Sequence, residues 1–223
     1  MAFLLRASGK CVTADPLHRL RADWFEQIRV MATTDEHDAL HSHLLASVAA
    51  GERAAVEQLY RLYEKRVFQY VSTLVYDPTV AEDIVVETMM AVWRGAASFA
   101  STSRVSTWIF GIARHKALDA IRRMGRHQRD VTLEEAVELP NPQESPQDSV
   151  DRKQVATLMQ RALSKLSREH QEVLRLVFYE ELPYEEIATL LSIPTSTVKT
   201  RVYYAKQRLK KHLEALGQKA PNP

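Results

Sequence analysis

Residues 184–213 read YEEIATLLSIPTSTVKTRVYYAKQRLKKHL. Ile187, Leu190 and Leu191, followed beyond Ile193 by Val198, Val202, Ala205 and Leu209, recur at helical spacing, so the stretch encodes two amphipathic helices. Ser192, Ile193 and Pro194 separate them, because proline disfavours helix at the residue before it and suits the first turn of the helix after it. Small Ala188 leaves room for a close crossing, and a tight helix-turn-helix results. With Val198, Val202, Ala205 and Leu209 turned inward, the second helix presents Thr195, Ser196, Thr197, Lys199, Thr200, Arg201, Tyr203, Lys206 and Lys210. Residues 192–213 hold Lys199, Arg201, Lys206, Arg208, Lys210 and Lys211 and no Asp or Glu, six positive charges in all. Hydroxyls and cations on one face suit phosphates and base edges, which favours a DNA reader over a solvated bundle helix.

The rest of the chain extends this all-α reading. A length of 223 residues suits two small domains, and with six glycines and Leu, Ala, Glu, Arg and Lys at helical spacing almost throughout, β architecture has little support. Net charge is only +2, but it averages over segregated blocks. Cys11 is the single cysteine, which excludes an intramolecular disulfide or a cysteine-rich zinc site and fits a reducing cytoplasm. No apolar run approaches the length of a membrane span, and MAFLLRASGK is too short in its apolar part for a secretory signal.

Residues 1–40 are weakly periodic, contain Pro16 and read as an extension that is poorly ordered, with one short helix around 24–30. Residues 41–130 form a first domain of helices broken at 50–51, 76–78 and 97–106. Asp77-Pro78 starts a helix, the aspartate as N-cap and the proline in the first turn. Val56, Leu59, Tyr60, Tyr63, Val67, Tyr70 and Val71 lie on one stripe and read as core. Residues 131–152 are a linker that carries Glu134, Glu135, Glu138, Glu144, Asp148 and Asp151, with no Lys or Arg before Arg152 and with Pro140, Pro142 and Pro146. Residues 153–216 form the second domain with the helix-turn-helix, and 217–223 are a tail. A second basic block precedes the linker: Arg104, Arg114, Lys116, Arg122, Arg123, Arg126 and Arg129 face only Asp119 and Asp130, seven charges against two. Its hydroxyl-rich lead, SFASTSRVS, points to nucleic acid as well.

Together AAVEQLYRLYEKRV (54–67), AEDIVVETMMAVWR (81–94), STWIFGIARHKALDAIRR (106–123) and LSREHQEVLRLVFYEELPYEEIATLLSIPTSTVKTRV (166–202) resemble the extracytoplasmic-function (ECF) sigma factors of bacterial RNA polymerase. The resemblance implies two helical domains, sigma region 2 and region 4, on an acidic flexible linker that threads the polymerase. It implies that Glu82, Asp83, Val86 and Glu87 dock core polymerase, with Val86 where the family often has glutamine, while Ile84, Val85, Thr88 and Trp93 pack inward. It implies that Ser98, Phe99, Ser101, Arg104, Arg114, His115, Lys116, Arg122 and Arg123 contact the −10 element and its opened strand, Phe99 offering a surface for an unstacked base. Trp108, Phe110 and Ile112 are read as core. Thr195, Ser196, Thr197, Lys199, Thr200, Arg201, Tyr203, Tyr204 and Lys206 fall to the −35 element. Tyr204 stands where many members have arginine, and Ser192 stands where many have glycine, a position that asks for a slightly strained backbone. Expected partners are core polymerase, double- and single-stranded promoter DNA and an anti-sigma factor, with no insertion into the membrane.

The rival reading is a conventional helix-turn-helix regulator with an all-helical sensing or interaction domain. Catalysis has no support, since a Gly-rich phosphate loop, a nucleophile elbow and HExxH are all absent, and no cofactor is expected. His37, His41 and His43 have a spacing that a metal could use but lack firm partners, so they read as solvated. Residues 1–30 match no part of the family pattern, and the sequence from Met31 begins as members commonly do; upstream sequence ahead of the native start is the favoured explanation.

Overall fold

The computed structural model describes residues 34–127 and 149–217, and all of its regular structure there is helical. The eight α-helices are α1 (Thr34–Ala49), α2 (Arg53–Val71), α3 (Pro78–Gly95), α4 (Val105–His127), α5 (Ser149–Ser164), α6 (Arg168–Phe178), α7 (Tyr184–Leu191) and α8 (Thr195–Gly217), with a short 3₁₀ turn at Ala96–Ser98. Two boundaries differ from expectation. Helix α1 begins at Thr34, inside the expected extension, and α5 begins at Ser149, inside the expected linker.

Local chemistry sets the helix ends. Gly51, at φ 86°, turns the chain between α1 and α2 in a region that favours glycine. Asp77 caps α3 by accepting from the amides of Thr79 at 2.9 Å and Val80 at 3.3 Å, and Pro78 fills the first position. Between α7 and α8, Ser192 takes the left-handed conformation at φ 57° and ψ 45°, and the Ile193 amide donates back to the Ala188 carbonyl at 3.0 Å. The strain expected at this position is present. Ser192→Gly should relieve about 1–2 kcal/mol of left-handed cost against roughly 0.5–1 kcal/mol of added chain entropy. A small rise in the urea midpoint is the expected outcome of equilibrium unfolding.

The N-terminal helices close around Tyr63, Val67, Tyr70, Ile84, Val92, Ile109, Phe110 and Ala113, all buried. Phe110 is fully enclosed and meets Tyr63 and Tyr70 edge to face, with centroids 6.4 and 5.3 Å away. His41 is not solvated: it is buried under α2 and its Nδ1 lies 3.0 Å from the Tyr63 hydroxyl. His37 is not among the residues whose side chains are described. Tyr60 is the one member of the expected α2 stripe that reaches solvent, and Val56 is half-buried at its edge. The C-terminal helices bury Leu166, Val173, Leu176, Leu182, Ile187 and Leu191 together with Val198, Val202, Ala205 and Leu209, the inward positions read from the sequence.

The two helical halves do not stand apart. The described residues from Glu36 onward fall in one compact unit, with α7 packed on α4. Two small domains on a tether were expected from the chain length and from the acidic, proline-bearing linker; the two helical halves are present, but they pack on one another. What joins them is a set of ion pairs between distant parts of the chain.

Candidate nucleic-acid interface

Helix α8 carries the first candidate surface. Burial of Val198, Val202, Ala205 and Leu209 turns Lys199, Thr200, Tyr203 and Tyr204 into solvent, with Thr195, Thr197 and Arg201 half-buried beside exposed Ser196. Tyr203 and Tyr204 stack edge to face at 5.4 Å and are more than half exposed, an apolar surface amid hydroxyls and cations. Thr200 donates its hydroxyl to the Ser196 carbonyl at 2.9 Å, which fixes its rotamer. Lys206 is drawn aside: its ammonium lies 4.8 Å from the centre of the Phe178 ring, and partial burial lowers its pKa from the ordinary lysine value.

On α4 and the segment before it, the expected strand-binding residues divide into two groups. His115, Arg122 and Arg123 are exposed, as are Ser98 and Ser101 in the preceding turn. His115 and Arg122 both approach Asp119, at 3.2 and 2.7 Å. Arg104, Arg114 and Lys116 are instead only about a quarter exposed or less and already face carboxylates. Arg104 reaches Asp38 at 2.7 Å and Glu186 at 3.7 Å, Arg114 reaches Glu172 at 3.0 Å, and Lys116 reaches Glu87 at 2.9 Å. Phe99 is not a free platform. It is half-buried with its ring 5.0 Å from that of Trp108, which itself packs over Gly95. Arg126 and Arg129 lie outside the residues whose side chains are described.

Helix α3 supplies a third surface. Glu82, Asp83, Val86 and Glu87 all face outward, while Ile84, Val85 and Thr88 are buried. Trp93, expected inside, is 51% exposed. The seam of α3 runs through Ala81, Ile84, Val85, Thr88, Met89 and Val92, and Trp93 falls one residue past it, in line with Val86 and Met90 at steps of four and three. The result is an outward apolar stripe, Val86, Met90 and Trp93, beside acidic residues.

Residues 59–127 match the Sigma-70 region 2 family and residues 162–211 match Sigma-70 region 4. An ECF RNA polymerase sigma factor, SigL of Mycobacterium tuberculosis, is 32% identical over 174 residues, 78% of this chain and 97% of its own. The chain belongs to the ECF RNA polymerase sigma factors. The sigma factor YlaC of Bacillus subtilis is 30% identical over 72% of this chain and 93% of its own. Among solved structures, the sigma factor RpoE in its complex with the anti-sigma factor NepR from Bartonella quintana matches with a TM-score of 0.57 and 26% identity, covering 71% of this chain and 96% of that one. CnrH, in complex with the cytosolic domain of CnrY, shares the fold at 23% identity and a TM-score of 0.52, over 78% of this chain and 97% of that one.

Within this sigma factor, α2–α4 belong to region 2 and α6–α8 to region 4. Sequence reasoning missed Met90 and Trp93 on α3, although their spacing from Val86 already placed all three on one helical stripe. It also missed Thr107, Glu172, Glu180 and Glu186, whose partners are distant in sequence. No helix among the described residues is long and apolar enough to cross a membrane, and no cluster of metal-ligating residues occurs among them.

Proposed function

We propose that this sigma factor docks core RNA polymerase through the outward face of α3, reads the −35 element with α8, and holds the −10 element and its opened strand with α4 and the segment before it. The chain itself catalyses no reaction. The observation that carries this reading is the placement of three separate outward surfaces on one chain: an acidic and apolar one on α3 and basic ones on α4 and α8. Cations for phosphate positioning and side chains for base edges are both present on α8. The acidic segment 131–152, which lies largely outside the described residues, is suited to the basic channels of a polymerase rather than to DNA.

The division of labour is testable residue by residue. Lys199→Ala or Arg201→Ala should weaken upstream promoter binding by roughly 1–3 kcal/mol and relax specificity at one position if the side chain reads a base. Replacing residues 98–104 by glycine and serine should leave upstream binding intact and abolish permanganate reactivity at the opened −10 region. Unchanged reactivity would remove that segment from the mechanism.

The protein works in the cytoplasm, and its control by an inhibitory partner is part of the same proposal. The similarity to RpoE, solved with an anti-sigma factor bound, supports a partner of that kind here. Affinity capture from the native host should recover one such protein in stoichiometric amount, and a fully active chain without one would argue for control by expression level.

A further inference from the structure

The outermost line of α8 is uncharged as far as Gln207. Val198, Val202, Ala205 and Leu209 are buried, and at about 100° per residue the line opposite them runs through Ser196, Thr200 and Gln207, all exposed. Tyr203 and Tyr204 straddle that line, each roughly 50° from it, and their rings meet edge to face across it with centroids 5.4 Å apart. At 59% and 55% exposure they put a continuous apolar surface on the side of the helix that faces away from the core. Cations keep to the flanks, Lys199, Lys206 and Lys210 on one and Arg201 and Arg208 on the other, where long side chains reach phosphates as well as bases.

What this line lacks decides which base it selects. In the major groove guanine is ordinarily held by a bidentate arginine or lysine, and cytosine by a carboxylate. Neither kind of side chain stands on the line between Ser196 and Gln207. The Thr200 hydroxyl uses its one proton on the Ser196 carbonyl at 2.9 Å. Ring surface is what remains at its centre, and the apolar group that a base pair shows in the major groove is the C5 methyl of thymine.

We propose that the Tyr203–Tyr204 pair is a specificity determinant that selects thymine in the −35 element by packing against its methyl group. The rise along the duplex is about 3.4 Å per base pair, so rings 5.4 Å apart serve neighbouring base pairs. The edge-to-face contact holds each ring in place before DNA arrives, so that little side-chain freedom is lost on binding. Burial of one methyl group is worth roughly three- to fourfold in affinity.

The inference rests on the assignment of α8 to the −35 element and adds the base chemistry of that site. Upstream duplex selected from a random pool by the polymerase complex of this chain is remade with deoxyuridine in place of each thymine in turn. The exchange removes the methyl and leaves every hydrogen-bonding group. Competition binding is measured for complexes of wild type, of Tyr203→Phe/Tyr204→Phe and of Tyr203→Ser/Tyr204→Ser. One or two neighbouring positions should lose about threefold or more in affinity with wild type and with the phenylalanine pair, and nothing with the serine pair. A wild-type complex that accepts deoxyuridine throughout overturns the proposal, a result that needs no variant to fold. An upstream block without thymine overturns it as well, and so does a methyl effect that persists with the serine pair. Loss of the preference in the phenylalanine pair would assign the reading to the phenol hydroxyls and reject the apolar contact. Repeating the selection with Lys199→Ala, Arg201→Ala and the serine pair separates the two levels. If none of them changes the upstream block, the assignment of α8 itself is wrong; if they change it and deoxyuridine is tolerated, the thymine reading alone is wrong.

Discussion

Val86→Asp combined with Trp93→Asp should reduce binding to core polymerase by about a thousandfold while leaving the fold intact. Both side chains are about half exposed on the outer face of α3. Removing an apolar anchor from the centre of an interface costs at least about 2 kcal/mol. Two such losses, with carboxylates placed where apolar surface should be buried, come to roughly 4 kcal/mol, or about three decades in Kd. Some stability should be lost as well, because aspartate is a poorer helix former and Trp93 lies in the last turn of α3, where a negative charge costs about 0.3–1 kcal/mol. Competition binding against a labelled sigma factor, with urea unfolding alongside, measures both. If Glu82→Ala/Asp83→Ala removed binding and the apolar pair did not, docking would be electrostatic instead.

Phe110→Ala should cost about 3–5 kcal/mol of stability, as for other buried phenylalanines. The ring has no exposed surface and is held edge to face by Tyr63 and Tyr70, and the Arg66 guanidinium lies 5.7 Å from its centre. It thus joins α2 to α4 directly beneath the Arg66–Glu180 and Tyr70–Glu172 contacts. A domain of this size has about 5–15 kcal/mol in total, so the variant should still fold but lose a large share of its stability. A urea midpoint lowered in proportion, at unchanged slope, is the expected result; a loss under about 1 kcal/mol would mean that the core collapses around the gap.

The helix-turn-helix was legible almost residue by residue, because everything that defines it is local. The inward positions Val198, Val202, Ala205 and Leu209, the break at Pro194 and the strained Ser192 all follow from spacing and backbone chemistry within some twenty residues. The same holds for the Asp77 cap. Trp93 was misplaced because a large aromatic beside a helical seam reads as core, and only the rotation of α3 fixed by Val92 and Met89 turns it outward. His41 found its partner in Tyr63, 22 residues on, and the carboxylates of region 4 found theirs 58 and 114 residues away. A sequence shows that Glu172, Glu180 and Glu186 are acidic, but which arginine each one meets depends on how the two helical halves come together. For the same reason Arg104 and Arg114 read as free cations, although the fold supplies them with carboxylates.

The central claim is that one chain joins polymerase to a promoter and reads it through two separate basic surfaces. Run-off transcription with purified core polymerase, on DNA selected by the complex from a random pool, tests it most directly. The selected DNA should contain two short conserved blocks at fixed spacing, transcription should start downstream of the second, and Lys199→Ala or Arg201→Ala should alter preference only in the first. Selection of a single palindromic block by the chain alone, with no transcript when core polymerase is added, would contradict the account and point to a conventional dimeric regulator.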